Sequence, residues 1–393
     1  MPSESDRLAK ILSGFPRSEF DDLVETRRDL HPHPELAFEE IRTAERIATR
    51  LDGLGLAPRT GVGKTGVVAD SGAGGQRLLV RADMDALPLT EESGEAFASE
   101  EAGRMHACGH DGHVAIALAV AGRLGSDSGA PPLRFLFQPA EERGGGARAC
   151  VAGGVMEDVR AAIGLHLWNQ LPVGKVGVCR GAMMAAVDEF EIEVVGRGGH
   201  GAAPHETSDS IVAAARIVEA LQGIVSREVS PLDSAVVTVA SIHGGDAFNI
   251  IPSNVRLTGT VRWFAETTGA AMPGKVGRIV SGTAAAAGVS AHLDYRRINR
   301  PVVNDNRIAD AVIEVARRLL GEENVDTETR TLGGEDMSVY LDRVPGCFFF
   351  VGSAPEGPHR PHHSPSFAID ERALVVGVAL MEAVVRELKV SGL

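Results

Sequence analysis

The order of elements along the chain predicts an α/β fold: a largely parallel-sheet domain interrupted by a smaller βαββαβ insertion of ferredoxin-like topology. Three observations predict it. Up to about residue 187, short apolar runs alternate with stretches of helical periodicity. From there the pattern changes to strands that alternate polar and apolar residues, as half-buried strands do. After about Pro301 it returns to helix, strand and helix, so the C-terminal part completes the first domain.

Each element has its own signal. The chain opens with helices over 20–30 and 39–51, the second placing Ile41, Ala44, Ile47, Ala48 and Leu51 at helical spacing. Apolar runs over 65–69 and 77–81 read as strands, and the turn-forming residues 71–75 separate them. An apolar helix comes after Gly112, then a strand over 133–137, a helical stretch near 147–152 and a strand over 161–167. In the insertion, strands over 189–195, 235–242, 255–263 and 291–296 frame a helix over 208–226 and an Ala-rich helix ending near Ala287. That order is β-α-β-β-α-β. The free edges of such a sheet invite pairing with a second subunit. The last element is an apolar helix over 371–388. The expected domains are 1–187 with 301–393, and 188–300.

Composition narrows the function. The 393 residues are 44% hydrophobic and 23% charged, enough to bury cores for two domains. Lys and Arg number 39 against 53 Asp and Glu, a net charge of −14. An acidic surface repels phosphate backbones, and no basic tract offsets it, so nucleic acid is not an expected partner. The longest apolar stretches, 114–121 and 373–381, fall short of the roughly 20 residues of a membrane span. The opening MPSESDRLAK carries no basic stretch followed by an apolar one, which predicts a cytoplasmic protein made without a targeting signal. In that compartment Cys108, Cys150, Cys179 and Cys347 are expected as thiols, and their spacing fits no CxxC zinc module.

The histidines are unevenly placed. The segment MHACGHDGH brings His106, Cys108, His110, Asp111 and His113 into eight positions between a strand and a helix. Gly109 and Gly112 let the backbone bend so that several of these side chains converge. A thiolate and an imidazole two residues apart suit a borderline metal such as zinc. Farther on, the strand over 133–137 runs into QPAEERGGG, where Glu141 and Glu142 stand side by side. Consecutive carboxylates at a strand end point in different directions, so one can bind metal while the other faces substrate. The position is the usual one for function in open α/β sheets. His166 ends the apolar strand AAIGLHL, and His362 and His363 lie together in RPHHSPSF. These four segments supply enough ligands for two metal ions.

The motifs RADMDALPL, MHACGHDGHVA, QPAEERGGGA, GLHLW, GRGGHGAAPH, FNIIPSNV, GTVR, LGGEDMSVY and HHSPSF succeed one another in an order that resembles metallo-amidohydrolases of the aminoacylase/carboxypeptidase superfamily. The branch it is most similar to contains hippurate hydrolases, auxin-conjugate hydrolases and N-acetyl-diaminopimelate deacetylases. The resemblance runs from HPHPEL at His31 to HSPSF. It implies a dinuclear site of two divalent ions (Zn, Mn, Ni or Co) held by Cys108, His110, Glu142, His166 and His363, with Cys108 shared. It implies Glu141 as general base and Asp85 as the acidic residue that orients a ligand. His200 and Asn249 correspond to insertion residues that reach an active site, and Arg262 to a residue that binds the substrate carboxylate. His106, His113 and His205 are expected as structural neighbours.

The activity this resemblance implies is metal-dependent hydrolysis of a small-molecule N-acyl amino acid, with dipeptide cleavage at the same site as the alternative. The insertion is expected to serve as lid and dimerisation domain, in a homodimer or a tetramer. The other motif suggesting chemistry, GVGKTG at 61–66, does not form a phosphate loop. Such a loop needs glycine five residues before the Gly63–Lys64–Thr65 triplet, where Pro58 stands, so the segment is expected as a turn.

Overall fold

The structure is a computed structural model that describes residues 4–390. The chain forms two compact units. One comprises Met1–Met183, Val302–Arg330 and Asp336–Leu393; the other comprises Met184–Pro301 and Thr331–Glu335.

The larger unit is built on an eight-stranded sheet. Its four central strands, in the order Leu133–Gln138, Arg77–Asp83, Val159–Pro172 and Gly346–Ala354, run parallel. They read as continuous apolar runs because both faces are covered: Leu133–Gln138 is buried at every residue. Antiparallel strands Gly66–Ser71 and Arg59–Val62 extend one side. The helix His110–Leu124 is apolar almost all round and packs on the sheet and on helices Arg17–Leu30 and Arg372–Val390.

One topological detail places the site. From Arg77–Asp83 the chain passes to Leu133–Gln138 on one side and then to Val159–Pro172 on the other. The winding therefore reverses at Arg77–Asp83. A crevice opens at the carboxyl ends of strands on either side of such a reversal.

The smaller unit is an antiparallel sheet in the order Ala235–His243, Asn254–Trp263, Ala186–Val195, Ser290–Asn299, with helices Ser210–Gly223 and Glu266–Ala286 packed against it. This is the βαββαβ order. Phe190, Ile192 and Val194 alternate inward from Ala186–Val195 into its core, beside Leu257, Val261 and Trp263. The helix expected over 208–226 starts at Ser210, because the Asp209 carboxylate caps it by accepting the N–H groups of Ile211 and Val212. The helix Glu4–Gly14 and the strand Arg59–Val62 were not anticipated. Among the described residues no helix is long and apolar enough to cross a membrane.

Candidate metal centre

The carboxyl ends of three neighbouring strands deliver the site. Arg77–Asp83 alternates its side chains, so Arg81 and Asp83 share a direction, and Asp85 follows just past the strand's end. Gly109, at φ 87°, is the N-cap of helix His110–Leu124. That left-handed turn, cheap only for glycine, sets Cys108 just before the helix and His110 in its first turn. The loop after Leu133–Gln138 carries Glu141 and Glu142, and His166 projects from Val159–Pro172. His363 adopts φ 58°, and its backbone N–H donates to the Ala107 carbonyl at 2.9 Å, which pins it beside Cys108.

These segments bring together all five ligands expected from the sequence. The ligand atoms of Cys108, His110 and His166 lie within 4.8 Å of one another, and so do those of Cys108, Glu142 and His363. Both groups share Cys108. Glu141 joins a third group with His110 and Glu142. Cys108 Sγ lies 3.4 Å from His166 Nε2, and Glu142 Oε1 lies 3.3 Å from His363 Nε2.

The tautomers are set by partners on the far side of each ring. His166 Nδ1–H donates to the Leu167 carbonyl at 2.7 Å, and His110 Nδ1–H donates to the Asp85 carbonyl at 2.9 Å. Each leaves Nε2 turned toward the thiol and carboxylates. His113 and His362 are occupied differently. His113 Nδ1 bonds Asp83 at 2.5 Å while its Nε2 accepts the Leu167 N–H at 2.9 Å. His362 Nε2 accepts the Asn169 N–H at 3.1 Å, and its ring stacks on Trp168. Of the adjacent pair, His363 is therefore the one that faces Glu142.

Asp85 holds more than a ligand ring. Its backbone carbonyl orients His110, whereas its carboxylate accepts the N–H of Glu141 at 3.0 Å and of Glu142 at 3.1 Å. One residue thereby fixes the backbone of both glutamates. Behind it, the wholly buried Arg81 donates to Asp83 at 2.7 Å, Gln138 at 2.9 Å and Asp336 at 2.9 Å. The Asp336 carboxylate also accepts the Ala147 N–H, and its own N–H points at Glu141 Oε1 from 3.4 Å. Burial lifts the Asp336 carboxyl to about 6 even with Arg81 beside it. Sequence reasoning missed Arg81, Asp83, Gln138 and Asp336. The signal for the first two was present: RADMD puts Arg81 and Asp83 on one face of a largely apolar strand, with Asp85 just past its end.

The electrostatics favour a cation. Burial, then the charges of Glu142, Glu141 and Asp83, pushes the Cys108 thiol well above its ordinary value. Burial works against a proton on His110, but Asp83, Asp85 and Glu142 override it and hold the ring near 10. Burial and the neighbouring His113 and His362 rings keep His166 neutral. Glu142 stays ionised against burial, beside His363 and His110. His110 Nε2 is buried with no hydrogen-bond partner. A buried orphan nitrogen among a thiol and several carboxylates fits a divalent cation, and the mixed S, N and O donors suit Zn, Mn, Co or Ni.

The remaining expected residues belong to the smaller unit. His200 pairs with Ile250 in the short ladder of Gly199–His200 and Ile250–Ile251, and the Asn249 carbonyl accepts the Gly201 N–H at 2.8 Å. His200 and Asn249 thus sit side by side. Arg262 is half-buried on Asn254–Trp263, where burial lowers the pKa of its guanidinium.

Comparison with known proteins agrees with this geometry. The sequence pattern of "Peptidase family M20/M25/M40" matches residues 79–387. The chain is 40% identical to the N-acetylcysteine deacetylase of Bacillus subtilis over 90% of its own length and 93% of that protein. It is 37% identical to IAA-amino acid hydrolase ILR1-like 4 of Arabidopsis thaliana over 95% and 87% of the two chains. Among solved structures, the YXEP protein of Bacillus subtilis, described as a dinuclear metal binding peptidase of the M20 family, superposes with a TM-score of 0.82 at 34% identity. That alignment covers 94% of this chain and 98% of the other. With an α/β sheet, a thiol–imidazole–carboxylate cluster at its switch point and relatives of this kind, the chain belongs to peptidase family M20/M25/M40 and is a metal-dependent amidohydrolase.

Proposed function

We propose that the protein hydrolyses the amide bond of N-acyl amino acids at two divalent ions held by Cys108, His110, Glu142, His166 and His363. The observation that carries this reading is the division of the glutamate pair: Glu142 faces Cys108 and His363, while Glu141 lies outside that group and its Oε1 accepts the Asp336 N–H at 3.4 Å. When bound, the ions supply Lewis acidity toward the amide carbonyl and acidify water toward neutrality. Glu141 takes the proton from the attacking water and returns it to the departing amine. Asp85 and the N–H of Asp336 keep that carboxylate aimed. His200 and Asn249 serve the developing oxyanion, and Arg262 receives the substrate carboxylate. The smaller unit acts as lid and dimerisation element; its edge strands and the exposed Phe248, Ile250 and Ile211 support a homodimer, which light scattering tests.

The N-acetylcysteine deacetylase and IAA-amino acid hydrolase relatives support an N-acyl amino acid as substrate. The name peptidase given to the YXEP protein favours a second reading, dipeptide cleavage with the same residues in the same roles. Amine release from N-acetyl, N-benzoyl and longer N-acyl amino acids and from dipeptides, with Mn or Zn supplied, separates the two. Cleavage of N-acyl amino acids with dipeptides left nearly untouched is expected. Preferential dipeptide cleavage establishes the second reading, and silence across the panel with metal bound refutes both.

A further inference from the structure

Two sequence features take no part in the chemistry above: the PELAFEE segment at 34–40 and the GVGKTG turn at 61–66. They meet at Glu40, whose carboxylate reaches Ala140, the residue before Glu141. Glu40 is the N-cap of helix Ile41–Gly53, yet its side chain makes no capping bond. Glu35 does that work, its carboxylate accepting the N–H groups of Arg42 at 3.0 Å and Thr43 at 2.8 Å. Relieved of capping, the wholly buried Glu40 reaches a residue 100 positions away. Its Oε1 accepts the Ala140 N–H at 2.9 Å and its Oε2 accepts the Thr65 hydroxyl at 2.5 Å.

The GVGKTG turn is shaped to hold Thr65 there. A Cβ added at Gly66 would stand 2.9 Å from Pro139 Cδ, and one at Gly63 would stand 2.8 Å from the Cys150 N. The turn is thus seated against the loop that carries the glutamates. Ala140 itself has φ 52°, a left-handed conformation that costs a non-glycine residue about 1 kcal/mol or more and persists only where its surroundings impose it. Glycine would take that conformation freely but would leave Glu141 loose. Alanine with a fixed acceptor for its N–H gives one backbone direction.

We propose that Glu40, braced by Thr65, is a positioning residue that holds Ala140 in its left-handed conformation and so aims Glu141. The proposal rests on the reading of Glu141 as general base. What it requires of Glu40 is the acceptor at Oε1, not the charge. The test measures kcat, KM and bound Mn for Glu40→Ala, Glu40→Gln and Thr65→Val, each alone and combined with Glu141→Gln. Glu40→Ala is expected to lower kcat about 10- to 100-fold, the scale of a misplaced catalytic group, with KM and bound metal unchanged. Glu40→Gln keeps a carbonyl oxygen for Ala140 and offers its amide to the Thr65 oxygen, so kcat stays within about threefold of the parent. Thr65→Val preserves volume, removes the brace and lowers kcat by less than Glu40→Ala; it also serves if Glu40→Ala fails to fold.

In the Glu141→Gln background, Glu40→Ala is expected to add no further loss, because a residue that acts through Glu141 has nothing left to aim. An equal fall in that background, or a loss carried by KM or by departed metal, overturns the proposal. If Glu141→Gln is impaired and Glu40→Ala is not, the proposal alone fails. If Glu141→Gln keeps full activity, the base assignment fails first.

Discussion

Loading the centre with divalent ions must expel protons, and the donors determine how many. Glu142 is already ionised and His166 already neutral, so neither gives one up. Cys108, pushed well above its ordinary value by burial and by Glu142, Glu141 and Asp83, holds its proton at neutral pH. His110, at about 10, holds an extra one. A metal ligand must be a thiolate or a neutral imidazole, so about two protons leave when both sites fill near pH 8. Removing the His110 proton at pH 7, three pH units below that value, costs roughly 4 kcal/mol. These costs shrink as pH rises toward 9, and the combined affinity then climbs by about 10² per pH unit for two protons. Glu142, then burial working against it, leaves His363 raised above its ordinary value, and it adds to the count in the lower part of the range.

The assay is calorimetric titration of the metal-free protein with Mn or Zn at pH 8, in buffers that differ in heat of ionisation. The slope of observed heat against buffer heat is the proton count. A slope near two is expected, falling to near one in Cys108→Ala, which should also retain less metal on dialysis. A slope near zero, or one that Cys108→Ala leaves unchanged, refutes the account of the donor set.

Three other outcomes are expected. Glu141→Gln should keep its metal and lose at least ~10²-fold in turnover; a variant with most of its activity removes Glu141 from the reaction. Asp85→Asn turns one of two acceptor oxygens into a donor facing the N–H of Glu141 or Glu142. A hydrogen bond to a charged group is worth about 1.5–3 kcal/mol, and lost orientation of a ligand costs about 10–100-fold in metal affinity. Retention of metal through dialysis and an unchanged melting midpoint would count against it. His106 is buried with neither ring nitrogen bonded, and burial depresses it to about 3. Below pH 6.5 the unfolded chain takes a proton that the folded one refuses, so stability falls as pH drops from 6.5 toward 3. Between pH 6.5 and 5 the metal-free protein should lose about 1.5–2 kcal/mol more than His106→Gln, measured by urea midpoints; equal losses reject the assignment.

The fold was legible where chemistry writes a period. Parallel strands covered on both faces read as apolar runs, and the strands of the smaller unit read as alternation, because one face is buried and the other is wet. Strand Arg59–Val62 escaped because it is a short edge with one buried residue. The candidate ligands were legible as a cluster because thiol, imidazole and carboxylate are rare side chains at strand ends, and the structure brings them within 4.8 Å of one another in two groups. The supports were not. Glu40 reads as an ordinary helix-start acid, and only its bonds to Ala140 and Thr65 in place of a capping bond show otherwise. Asp336 lies 195 positions from Glu141, so no local spacing connects them.

The identity of a catalytic pair is therefore a matter of backbone as much as of side chain. Glu141 and Glu142 are the same residue type in adjacent positions, and nothing in their composition divides the work. In the proposed reading the division comes from the Asp336 N–H at one carboxylate and from the place of the other beside Cys108 and His363, while the left-handed Ala140 and the Asp85 carboxylate fix the main chain that carries both. Arg81 anchors Asp83 and Asp336 alike, so it ties the acid that orients His113 to the one whose N–H faces Glu141. A cation placed there balances two buried carboxylates. In the proposed reading the divalent ions would neutralise the charge of the candidate ligand cluster, and the Arg81 guanidinium serves the frame behind it.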